Sequence, residues 1–108
     1  MIRQIAPVFF TLDIPATVAY YETELGFKCL GTWQDPPVYA IMARDDHAIH
    51  FRCAARPKAN PGKHEDALLD AYLFVEEADA LYAEYAARGV EFTRTVANMP
   101  WNCREFVV

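Results

Sequence analysis

The chain has 108 residues, with ten Lys and Arg against fifteen Asp and Glu and a net charge of -5, a length that fits one domain and leaves no room for separate cofactor and substrate domains. Hydrophobic residues make up 54%, aromatic residues 14% and charged residues 23%, which excludes a disordered, collagen-like or disulfide-scaffold chain. No basic cluster is present to neutralise phosphates and no apolar run approaches the ~18 residues of a membrane span, so neither nucleic acid nor membrane is an expected partner.

Ile5 to Leu12 is an apolar, β-favouring run that stops at Asp13 and Pro15, residues suited to capping and opening a helix. Val18, Tyr21 and Leu25 then follow at helical spacing, and Gly26 stands where a left-handed terminating residue is wanted, which predicts a helix over Ala16–Leu25. Three β-rich stretches come next, Phe27–Trp33, Val38–Ala43 and Ala48–Cys53, separated by the turn formers Asp35-Pro36-Pro37 and Asp45-Asp46. Ala54 to Asp66 has prolines, a glycine and charges without apolar period and reads as an exposed linker; His64, Glu65 and Asp66 within it read as a solvated charge cluster. Asp70–Val75 is predicted as a strand and Glu76–Arg88 as a helix with Ala78, Leu81, Tyr82 and Tyr85 on one face, closed by Gly89. Val90–Thr95 and Cys103–Val108 are the last predicted strands.

Leu12-Asp13 and Val75-Glu76 stand sixty-three positions apart, as do Gly26-Phe27 and Gly89-Val90, so one strand-helix-hairpin module is used twice. The predicted division is module one at 1–53, linker at 54–66 and module two at 67–108. The same offset carries the last strand of module one to positions 111 to 116, past Val108, so the second module is expected to lack that strand here.

Pro7-Val8-Phe9-Phe10-Thr11-Leu12-Asp13, Ala19-Tyr20-Tyr21, Leu25-Gly26-Phe27, Arg88-Gly89-Val90 and Pro100-Trp101-Asn102-Cys103-Arg104-Glu105-Phe106 together resemble the vicinal oxygen chelate superfamily of glyoxalases, bleomycin-resistance proteins and extradiol dioxygenases. The resemblance covers the whole chain and is nearest to bleomycin-resistance-like members. It implies an α+β fold of two βαβββ modules forming a cupped half-barrel sheet. Asn102 replaces a glycine of the family pattern, and Asn tolerates the left-handed backbone that position asks for.

In enzymatic members a divalent metal is held by His, Gln or Glu on the first and last strands of each module. The first-strand positions fall here at Ala6 or Pro7, which cannot donate to a metal. His50 on the last strand of module one and Asp70 opening module two are the remaining weak candidates, short of the three protein donors a catalytic site uses. No metal or other cofactor is therefore favoured. The cysteines, Cys29, Cys53 and Cys103, lack CxxC spacing and read as reduced thiols of a cytoplasmic protein.

The resemblance then implies a binding protein that sequesters a drug-like, amphipathic or cationic small molecule between aromatic walls. Trp33, Tyr39, His50, Trp101 and Phe106 are the candidate ligand-binding residues. Trp33 and Trp101 sit at strand ends, where an indole either stacks on a ligand or packs a dimer interface. Tyr20, Tyr21, Tyr82 and Tyr85 are assigned to packing. The alternative is a metal-dependent lyase or dioxygenase. A chain this small buries only roughly two-thirds of its unfolded surface, and Pro7 suits an edge or exchanged strand, so a homodimer with strand exchange is expected.

Overall fold

Strand β1 (Val8–Thr11) leads directly into helix α1 (Ile14–Thr23), and the corner between them is held by side chains. Asp13 adopts an extended backbone and its carboxylate accepts from the Ala16 N–H at 3.0 Å, satisfying one of the helix's unpaired donors. The Thr11 and Thr17 hydroxyls meet at 2.7 Å across the same corner. At the far end Gly26 takes φ +73°, which lets the Phe27 N–H turn back onto the Tyr21 carbonyl at 2.9 Å. The computed structural model describes residues 1–60 and 69–108, so His64, Glu65 and Asp66, with the end of the predicted linker, lie outside the described residues.

Three further strands, β2 (Lys28–Trp33), β3 (Tyr39–Arg44) and β4 (His47–Cys53), complete a four-stranded mixed sheet in the order β1-β4-β3-β2. The β3–β4 hairpin turns on Asp45 and Asp46, both at positive φ, the geometry that matches the twist of a two-residue hairpin and that Asp tolerates. β1 joins as an edge strand, parallel to β4, with Val8 beside His50 and Phe10 beside Arg52. Pro7, which has no N–H to give, supplies only its carbonyl, accepting from the His50 N–H at 2.9 Å. β2 carries one extra residue relative to β3, between Cys29 and Gly31, so Lys28, Gly31 and Trp33 all pair with residues of one face, Ala43, Ile41 and Tyr39.

Strand alternation sends Ala40, Met42, Ile49 and Phe51 to the face that α1 covers, where Ile14, Leu25 and Phe27 close the core. Met42 and Ile14 are fully buried and stabilise by roughly 2 kcal/mol each. Tyr21 lies edge-on to Phe27 and Phe51, with centroids 5.4 and 4.7 Å away, so it packs as its spacing predicts. Tyr20 does not follow: it touches Tyr21 but remains 42% exposed, because it sits one residue round the helix from the buried stripe.

The chain divides into two compact units, Met1–Tyr72 and Leu73–Val108. The second contains helix α2 (Ala78–Ala87) and an antiparallel pair, β5 (Arg94–Asn98) with β6 (Arg104–Val107). Gly89 ends the helix at φ +81°, as Gly26 ends the first. Tyr82, Tyr85, Phe92 and Phe106 form its aromatic core. β5 also carries one extra residue against its partner, between Arg94 and Ala97. The class is α+β, with two helices among the described residues, none of them long and apolar enough to cross a membrane.

Two expectations are corrected. Asp70–Val75 carries no strand, and Leu73, Phe74 and Val75 are 53%, 90% and 44% exposed. β1, its counterpart, is made a strand by its parallel ladder with β4, whereas neither sheet of the described residues includes this segment, and β propensity without such a ladder does not make a strand. The strand predicted over Val90–Thr95 runs instead over Arg94–Asn98, since Phe92 is drawn onto Tyr82, with ring centroids 4.3 Å apart, before the ladder starts.

Arg104 ties β6 to the start of α2 through a fork on Asp79, with Nε to Oδ2 at 2.6 Å and Nη2 to Oδ1 at 2.8 Å. Hydrogen bonding from Arg104 holds the Asp79 carboxyl below the usual aspartate range, and charge attraction adds to this while partial desolvation opposes it. A depressed carboxyl contributes above its unfolded value, and that contribution fades as pH falls through the folded midpoint. An NMR titration should therefore find Asp79 titrating below an ordinary aspartate, and Arg104→Gln should return it to the usual range; equal midpoints in the two proteins would refute the fork.

Candidate functional site

The face of the first unit's sheet away from α1 is built by cross-strand register. One row of directly paired residues runs Trp33, Tyr39, Arg52, Phe10 across β2, β3, β4 and β1, and the next runs Gly31, Ile41, His50, Val8. Trp33 and Tyr39 meet edge to face at 5.9 Å between centroids, and Tyr39 meets His50 in the same way at 5.6 Å. Gly31 leaves room beside this pair: a Cβ there would lie 3.3 Å from the Trp33 ring, so the indole would have to shift slightly to admit a side chain. Trp33 is 48% and Phe10 57% exposed, so the row presents aromatic surface to solvent.

The Tyr39 hydroxyl and His50 Nδ1 are 2.7 Å apart. A phenol is the better acid and a neutral imidazole nitrogen the better acceptor, so we assign the hydroxyl as donor. That assignment leaves the proton of neutral His50 on Nε2, a donor available to a ligand. Of the five candidate ligand-binding residues, the structure brings three together here, Trp33, Tyr39 and His50.

The other two stand in the second unit and differ from each other. Trp101 is 58% exposed in the turn between β5 and β6, where Asn102 adopts φ +62° and the Met99 N–H bonds the Cys103 carbonyl at 2.7 Å. Phe106 is turned to the helix side of its sheet, against Tyr82, Tyr85 and Phe92 at 5.4, 6.1 and 5.6 Å. Strand alternation decides this, because the neighbouring Glu105 must then face the other way. Glu105 is the buried charged residue among the described residues, 9% exposed and paired with Arg94 at 3.4 Å. Phe106 is thus engaged with rings of its own unit, and it is not brought together with Trp33, Tyr39 and His50.

Beside β1 and α1 lies an open trough of about 550 Å³, lined by Phe10, Leu12, Tyr20, Tyr21 and Phe51, with Asp70 at its border. His50 is not part of this lining.

These features can be set beside known proteins. The sequence profile of the Glyoxalase/Bleomycin resistance protein/Dioxygenase superfamily matches residues 2–108. The chain belongs to that superfamily. Among solved structures it is similar to a glyoxalase-related enzyme from Clostridium phytofermentans, at 20% identity and TM-score 0.76 over 98% of this chain and 84% of that one. A bleomycin-binding protein from bleomycin-producing Streptomyces verticillus, complexed with copper(II)-bleomycin, shares 22% identity and TM-score 0.69 over 98% of this chain and 85% of that one. The bleomycin resistance determinant encoded on the transposon Tn5 shares 18% identity and TM-score 0.70 over 95% and 84%. At these identities the likeness establishes the fold. No protein of curated function matches the sequence.

The divalent metal used by enzymes of the superfamily finds a poor fit in these residues. His50 is the one imidazole on the open face, its Nδ1 already engaged by Tyr39, and no group of three or more His, Cys, Asp or Glu among the described residues could hold a metal ion.

Tyr39→Phe isolates the hydroxyl. At a pH where imidazoles are deprotonated, wild-type nitrogen chemical shifts should report the His50 proton on Nε2; the variant should shift toward a mixture of tautomers and lose about 1 kcal/mol of stability. Unchanged His50 shifts would contradict the assigned bond.

Proposed function

We propose that this protein binds and holds a flat, amphipathic, drug-like molecule without transforming it. The observation that carries this reading is the Trp33–Tyr39–His50 contact series, an exposed aromatic shelf with a single buried-side polar pair. Edge-to-face packing fixes the rings before a ligand arrives, so little side-chain freedom is lost on binding. The shelf also lacks the donor set that a bound catalytic metal requires, so binding is proposed to be metal-independent. Proteins of this fold solved with bleomycin or copper(II)-bleomycin support a holding function for the scaffold. Fold alone does not select chemistry, and the weight rests on the shelf.

Flat amphipathic compounds, bleomycin among them, should quench tryptophan fluorescence on titration, with the compound recovered unaltered and the affinity unmoved by a chelator. Trp33→Ala should weaken binding by about 1 kcal/mol, roughly fivefold in Kd. Trp101→Ala, assayed in parallel, reports whether the second exposed indole also contacts the compound. A recovered compound that has been chemically changed, or Trp33→Ala binding as tightly as wild type, would end this reading.

The homodimer is part of the proposal: β1 is an edge strand of the four-stranded sheet, and a second copy paired there would cover that edge. Sedimentation should then give about twice the 12.3 kDa chain mass. A monomer at every concentration tested would remove exchange from the account.

A further inference from the structure

The charge of the aromatic shelf is opposite to that of the chain. None of the fifteen Asp and Glu residues lies on β1, β2, β3 or β4, although the chain's net charge is -5. The open face carries Arg52 in the aromatic row and Lys28 at its far end, paired with Ala43. The third cation of these strands, Arg44, belongs to the other face, where it donates to the Leu25 carbonyl at 2.9 Å. Arg52 is exposed and enters no ion pair among the described residues. It stands between two rings in register, Tyr39 on one side and Phe10 on the other, with His50 two residues along the same strand. The acids that flank these strands in sequence are occupied elsewhere or set in turns: Asp13 caps α1, Asp35 follows the end of β2, and Asp45 and Asp46 form the β3–β4 turn, with Asp45 paired to Arg44.

An uncommitted guanidinium and an imidazole N–H, set among aromatic rings on four strands that carry no carboxylate, are the complement of a planar acid. Three strand spacings separate Trp33 from Phe10, about 14 Å, which accommodates two fused rings and an attached carboxylate. Resting on the binding function proposed above, we infer that the ligand is an aromatic anion, its ring laid on Trp33 and Tyr39 and its carboxylate held by Arg52 and the Nε2–H of His50. This narrows the amphipathic class to one charge type and replaces the cationic ligand that the chain's overall acidity suggests.

Calorimetric titration with three probes of one shape separates the possibilities: 2-naphthoate, the neutral 2-naphthamide and the cationic 2-naphthylmethylammonium. The carboxylate should bind about tenfold tighter than the amide, and the ammonium weakest. Arg52→Gln should bring naphthoate down to the amide's affinity while leaving the amide unmoved, and Arg52→Lys should keep part of the preference. Equal binding of all three probes, or a preference that survives Arg52→Gln, overturns the anion assignment and leaves the aromatic shelf standing. Failure of all three to bind brings down the binding function itself, and the inference with it.

Discussion

The parallel ladder between β1 and β4 is the constraint on which the arrangement depends. It sets Val8 beside His50 and Phe10 beside Arg52, residues some forty positions apart in the chain, and so decides which side chains share the open face. A one-residue slip would exchange Phe9, which meets Phe51 at 5.9 Å in the core, for Phe10, which faces solvent. The ladder is not bought by hydrophobic patterning in β1 alone, where all but Thr11 are apolar on both faces; the threonine contacts at the α1 corner and the Pro7 carbonyl fix the register at either end. The segment Asp70–Val75 is informative by contrast. It has the composition of a strand yet belongs to neither sheet of the described residues, so composition alone does not make a strand.

What could be read in advance follows from how local each determinant is. Asp13, Gly26 and Gly89 act on backbone within a few residues, and the helices begin and end within a turn of where these residues place them. The Asp45-Asp46 turn is equally local, and it sets β3 against β4 without reference to the rest of the chain. The superfamily itself was legible in the strand, helix and exit motifs, and the profile match extends that to residues 2–108. The site was legible only in part. Trp33, Tyr39 and His50 were singled out by residue type and position, yet the bond between Tyr39 and His50 is a product of register. Phe106 and Glu105 exchange roles because a strand's sidedness is set by the helix packed on it, and α2 presents Tyr82 and Tyr85 to Phe106.

The polar part of the shelf owes its chemistry to being half-buried. Tyr39 and His50 satisfy each other at 2.7 Å, so the imidazole is oriented without a carboxylate behind it. With the phenol donating to Nδ1, Nε2 is the ring nitrogen left to donate. In the proposed function, recognition comes from placed donors on a flat apolar ground, with Arg52 supplying the formal charge. The same economy is visible in the second unit, where Arg104 and Asp79 are spent on fastening strand to helix and are therefore withdrawn from binding.

The extra residue in β2, matched by one in β5, bears on how strand length relates to side-chain facing. Beyond the irregularity at Cys29 to Gly31 the ladder resumes with Trp33 against Tyr39, so the added length is absorbed locally and the pairings on either side are kept. An added residue at this point therefore leaves the interior pairings and the aromatic shelf as they are, so the length of the strand and the face its side chains take are set independently here.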